Sequence, residues 1–132
     1  MATTIGCSDG RPTRIPVSGQ VLIDGKPLTF GVVRVVPAND RVATATIQPD
    51  GHFTLKTFED GDGIVAGTHP VAVIASEQVV SDKKYKWHAP KKYARAKTSG
   101  LSVNIEKPTD SLVIELTWKG DPYGRPFTET SE

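Results

Sequence analysis

Apolar residues recur at every second position along most of this chain, in short runs closed by Gly, Pro and Asp. Successive strand side chains point to opposite faces, so this period buries one face of a β-strand and wets the other. Ile15, Val17, Val21 and Ile23 alternate with Pro16, Ser18, Gln20 and Leu22. Ala43, Ala45 and Ile47 alternate with polar neighbours, and Phe53 and Leu55 follow after a turn. Residues 30–36 are nearly all apolar, broken by Arg34, as a central strand would be. Residues 70–76 place Val71, Val73 and Ala75 inward. Leu101, Val103 and Ile105, then Leu112, Ile114, Leu116 and Trp118, give two further alternations around Lys107-Pro108-Thr109-Asp110. The pattern predicts about seven short strands at sandwich spacing. No stretch has the period of an amphipathic helix, although residues 91–96 suit a turn or two.

The breaks between runs have turn chemistry. Asp24-Gly25 reads as a two-residue hairpin turn, because both residues tolerate positive φ. Pro49-Asp50-Gly51 pre-sets one φ and supplies a left-handed position. Residues 57–63 form a glycine-punctuated acidic crossing between two sheet-like halves. Composition limits the rest. A chain of 132 residues with a formal charge of +1 suits one domain and carries no global field for nucleic acid. The single cysteine, Cys7, excludes an internal disulfide framework and a cysteine zinc cage. No run approaches the ~20 apolar residues of a membrane helix.

Residues 77–99 break the alternation and read as one long irregular loop. Lys83, Lys84, Lys86, Lys91, Lys92, Arg95 and Lys97 are interleaved there with Tyr85, Trp87, His88 and Tyr93. Cations beside stacking rings suit an anionic or carbohydrate ligand, or single-stranded nucleic acid. Tyr85, Trp87, Lys91, Lys92 and Tyr93 are the candidate ligand contacts. The alternative is that Trp87 and Tyr93 pin an excursion to the sheet while the lysines stay solvated. Residues 119–132 have no periodicity and read as a frayed tail.

Asp50, Glu59, Asp60 and Asp62 offer hard oxygen ligands, and a calcium-stabilised adhesion module is one reading of the Asp60/Asp62 crossing. Their spacing does not follow an EF-hand loop, and Asp-Gly pairs form turns on their own account. No metal or cofactor is therefore assigned. His52, His69 and His88 are far apart in sequence, and strand parity turns His52 to solvent. No G-x-S-x-G elbow and no Cys-x-x-Cys pair is present. These residues define no catalytic site, and the expectation is a non-enzyme.

Four blocks in order carry a family resemblance. Residues 17–28 match V-S-G-x-V-x-x-D-G-K-P-L, residues 50–53 match D-G-x-F, residues 57–67 match T-F-x-x-G-D-G-x-x-x-G, and residues 90–101 match P-x-K-Y-x-x-x-x-T-S-G-L. Over residues 16–116 the chain resembles the short bacterial transthyretin-like, or carboxypeptidase-regulatory-like, lipoproteins. The resemblance implies a prealbumin-like Greek-key β-sandwich over residues 14–118, between a flexible arm at 1–13 and a flexible tail at 119–132. It implies a non-catalytic module of the cell envelope, surface or periplasmic, with a structural or protein-interaction role. Its partners would be a protein or a glycan, with no nucleic acid, and it would meet a membrane only through a lipid anchor. Thr4-Ile5-Gly6-Cys7-Ser8 looks like the end of a lipobox, which makes Cys7 the expected lipid attachment. Thr4 stands where leucine is usual, and the apolar leader is missing from the sequence as given. The expectation is a start without its leader; the alternative is an incidental Cys7 thiol. Ala66 and His69 also depart from the family pattern, and His69 is expected to pack. Hydroxyisourate hydrolases share that fold, but their closing Tyr-Arg-Gly-Ser has no counterpart at Phe127-Thr128-Glu129-Thr130-Ser131-Glu132.

Overall fold

The structure, a computed structural model, describes residues 14–38, 40–80 and 84–130. It is an all-β sandwich. One sheet holds β4 (Val32–Val35), β5 (Ala43–Thr46), β8 (Gly67–Ile74) and β11 (Leu101–Ile105), in the order β11-β8-β4-β5. The facing sheet centres on β2 (Val17–Ile23), with β12 (Thr109–Leu116) on one side. On its other side β2 pairs with β3 (Lys26–Pro27) and β6 (His52–Thr54). The seven runs read from the alternation are β2, β4, β5, β6, β8, β11 and β12. The sheets join at one edge, where Thr44 and Lys56 exchange backbone hydrogen bonds of 2.9 Å each.

Side-chain parity follows the sequence. Val17, Val21, Val33, Val35, Val71, Val73, Ile114 and Leu116 all point into one core. Burying a Val or Leu side chain contributes about 1.5–3 kcal/mol, so this set is the main source of cohesion. Asp24 and Gly25 have φ of 50° and 82°, the double left-handed turn that matches strand twist, and they bring Ile23 opposite Lys26.

Two stretches depart from expectation, and one strand direction is new. β2 and β12 run parallel, a direction the alternation does not specify, and β12 begins at Thr109, within the Lys107-Pro108-Thr109-Asp110 stretch. The connection carries the chain from one sheet to the other, which a hairpin would not do.

Residues 77–99 are not one irregular loop. β9 (Ser76–Val80) and β10 (Lys84–Trp87) form an antiparallel pair, followed by a 3₁₀ turn (Lys91–Ala94) and α1 (Ala96–Ser99). β9 has no apolar alternation, and β10 alternates Lys84 and Lys86 with Tyr85 and Trp87 over only four residues, a short signal inside a run of cations and rings.

The final stretch is not frayed throughout. β13 (Phe127–Thr130) pairs with β10 in the register Trp87↔Phe127, giving a three-stranded sheet β13-β10-β9. Phe127 anchors this strand through its ring, and the three residues after it are polar.

β1 (Arg14–Ile15) and β7 (Ile64–Val65) form a short pair that fixes the polarity of the molecule. Ile15 lies opposite Ile64, Gly67 opposite Ile105, and Val17 opposite Thr109. These positions and the acidic crossing of residues 57–63 share one end of the sandwich, here the leading end. Ile74, Ile23 and Leu116 terminate their strands at the other, far end, where β9, β10 and β13 extend the sandwich.

Candidate ligand-contact surface

Of the five candidate contacts, Tyr93 is core. It is 4% exposed, its Oη donates to the Thr117 carbonyl at 3.3 Å, and it accepts from the Thr117 N–H at 3.1 Å. The alternation around Pro90 explains the inward turn: Ala89 and Pro90 are buried before it, and Ser99 donates to the Val71 carbonyl after it. The helical segment is thereby stitched to β8 and to the end of β12. Lys92 remains exposed, with its ammonium 5.1 Å from the Tyr93 ring centre.

Tyr85 and Trp87 share one face of β10, and Lys84 and Lys86 share the other, as strand alternation requires. Trp87 lies 6.4 Å from Phe127 at an interplanar angle of 15°, with the Lys91 ammonium 5.6 Å from its ring centre. Tyr123 stacks on Phe127 at 3.7 Å and 7°, while Trp118 meets Phe127 edge-on at 6.2 Å and 74°. Aromatic pairs at such geometry contribute about 0.5–1.5 kcal/mol each beyond area. This cluster holds β13 on the edge of β10. Its most exposed ring is Tyr123, at 55%. Sequence reading passed over Tyr123 and Phe127, which sit in a stretch without period; two rings four residues apart were the available signal.

Charge is segregated along the chain. Residues 83–105 hold seven cations and no acid, so a whole-chain charge of +1 leaves the remainder at −6. Lys84, Lys86, Lys91, Lys92, Arg95 and Lys97 are all exposed, on β10 and the helical turns that follow. Nearby, His88 Nε2 lies 2.8 Å from Glu77 Oε1, and its ring lies 5.3 Å from Phe30. Lys83 and Cys7 lie outside the described residues.

The acidic crossing at the leading end is built around Asp62. Its Oδ1 accepts from the Thr57 N–H at 2.7 Å, and its Oδ2 accepts from Phe58 and Glu59 at 3.0 and 3.2 Å. Burial pushes the Asp62 carboxyl up, but those three N–H donors and the Arg14 charge outweigh it and hold it below its ordinary value. The carboxylate is engaged by the loop's own backbone, which favours the turn reading over calcium. Asp60 pairs with Lys56 at 3.3 Å, and Asp50 accepts from the His52 N–H at 2.9 Å. Arg14 pairs with Asp40 at 2.9 Å, and the guanidinium groups of Arg14 and Arg41 each lie 4.8 Å from the Phe58 ring centre. The three histidines stay apart: His52 is exposed, and His69 is buried with Nε2 2.9 Å from the Val65 carbonyl, a packing role. Among the described residues no group of three His, Cys, Asp or Glu side chains converges as a metal site.

At the leading end an open groove of about 600 Å³ lies beside Ser18, Thr54, Lys107, Thr109, Asp110 and Ser111. Its hydroxyls have no histidine among them to act as a base. Compared with known proteins, the chain matches no family model, no curated protein and no solved structure. Fold and surface together define an all-β sandwich with a basic, aromatic-locked sheet at its far end. No helix among the described residues is long and apolar enough to cross a membrane.

Proposed function

We propose that this chain is a non-catalytic, transthyretin-like module of the bacterial cell envelope, tethered by a lipid on Cys7 and presenting its far end to a partner. The observation that carries the reading is polarity. β1 begins at the leading end, while the basic sheet and its helical turns stand at the opposite end. A tether at Cys7 is seven residues from Arg14, at most about 25 Å of extended chain. Such a tether keeps the leading end near a membrane and turns the far end outward. The four sequence blocks that resemble transthyretin-like lipoproteins, and the lipobox-like Thr4-Ile5-Gly6-Cys7-Ser8, support the same reading.

The test is metabolic labelling with a fatty acid in cells producing this chain behind its native leader. Wild-type protein is expected to carry label in the membrane fraction, and Cys7→Ala to lose it. Unlabelled wild type, or label that survives Cys7→Ala, overturns the tether.

A second reading, an anionic or carbohydrate ligand site, is favoured by the exposed cations at the far end. Calcium-stabilised adhesion draws no such support, because Asp62 already accepts three backbone hydrogen bonds.

A further inference from the structure

The far end of the sandwich carries a run of exposed cations. Lys86, Lys92, Arg95 and Lys97 are exposed, and no acid occurs in sequence between residues 83 and 105. Glu77, the acid on the neighbouring β9, is engaged by His88. Glu59, Asp60, Asp62, Glu106 and Asp110 border the crossing and the start of β12 at the other end, while Asp24 and Glu129 stand at the far end but outside the basic segment. The far end therefore carries a local positive pole, on β10 and the helical turns beyond Ile74. A concentrated positive pole on a nearly neutral protein raises the local concentration of a polyanion without attracting anions elsewhere.

Three kinds of polyanion fit such a pole, and the structure separates them. A single-stranded nucleic acid draws affinity from bases stacked on free aromatic faces. Here Tyr93 is buried, Phe127 is covered by Tyr123, and a Lys91 ammonium lies beside Trp87. An anionic membrane would have to meet the end opposite to β1, on the wrong side for a chain tethered at Cys7. A polyanionic glycan needs neither base stacking nor proximity to the tether. It needs exposed cations repeated along a surface, which the far end has.

We propose that Lys86, Lys92, Arg95 and Lys97 dock a linear polyanionic glycan presented on the side away from the tether. This rests on the tethered-module reading for its orientation, and the two are tested separately: labelling reads Cys7, glycan binding reads the far end.

The full chain is titrated with heparin, polygalacturonate, neutral dextran, an oligo-dT strand and phosphatidylglycerol vesicles. The expected result is binding of heparin or polygalacturonate that weakens at least about ten-fold between about 50 and about 200 mM salt, as released counterions require. Dextran is expected not to bind. K92E/R95E/K97E is expected to lose at least about ten-fold in glycan affinity at an unchanged Tm, and Lys86→Glu alone a smaller part of it. Equal or tighter binding of oligo-dT or of vesicles overturns the proposal, as does glycan binding that the triple variant leaves intact, or no glycan binding.

Discussion

Tyr93 and Thr117 exchange a reciprocal pair of hydrogen bonds, the phenol accepting the backbone N–H at 3.1 Å and donating to the carbonyl of the same residue at 3.3 Å. One side chain thus satisfies both backbone groups of the residue that follows β12, and couples the basic helical turns to that strand. Tyr93→Phe leaves both groups of Thr117 without this partner while keeping the ring. The expected loss is about 1–2 kcal/mol in urea denaturation, with an unchanged m-value.

Neighbours on β12 should differ sharply. Ile114 is 4% exposed and Val113 is 49% exposed. Ile114→Ala is expected to cost about 2–4 kcal/mol and Val113→Ala less than about half a kcal/mol. Equal losses in denaturant would mean that β12 presents its faces differently.

The crossing offers a matched glycine pair. Gly63 has φ +85°, and a Cβ there would sit 1.7 Å from the Ile15 carbonyl oxygen. Gly61 has φ +76° with nothing within 4 Å. Gly61→Ala is expected to cost about 1–2 kcal/mol from the left-handed backbone alone. Gly63→Ala is expected to cost well over that, because β1 must also move off β7; comparison of the two Tm values reads the difference.

Asp62 gives the chain an acid-sensitive contribution. Burial works against its carboxylate, but hydrogen bonds from Thr57, Phe58 and Glu59 and the Arg14 charge lower its pKa. With the folded value depressed, its contribution is whole above the unfolded carboxylate value of about 3.9 and is lost as pH falls through the lower folded value. Asp62→Asn is therefore expected to melt below wild type at about pH 7, with the gap closing towards about pH 3. A gap that stays constant across melts in this range contradicts the charged role.

Phe127 is the contact through which β13 meets both tryptophans, Trp87 and Trp118. Phe127→Ala is expected to red-shift tryptophan emission. It should also raise amide exchange in β10 while leaving Val73 in β8 protected. Unaltered exchange in β10 would mean that backbone pairing alone holds the strand.

Legibility followed burial. Val17, Val21, Val71, Val73, Ile114 and Leu116 could be placed because one face of each strand is dry, and a dry face writes a period of two into the sequence. β9 carries no such period, and in β10 the alternation of Lys84 and Lys86 with Tyr85 and Trp87 spans only four residues and leaves no dry face. β13 offered one apolar residue, Phe127. Among the candidate contacts, the sequence showed that Trp87, Tyr93 and the lysines belong to one segment. It could not show that Tyr93 turns inward, because that depends on Thr117, far along the chain. Nor could it show that the basic segment stands at the end opposite the acidic crossing, which follows from strand register.

The parallel pairing of β2 with β12 also governs the order of events during synthesis. Asp24, just past β2, meets Thr117, just past β12, across 93 residues. β2 leaves the ribosome well before its long partner β12. Until β12 follows, that edge of β2 waits unpaired, so the sandwich cannot close before then. Closing so distant a contact makes folding slow for a domain of this size. Any factor that holds the nascent chain has the whole interval between the two strands in which to act.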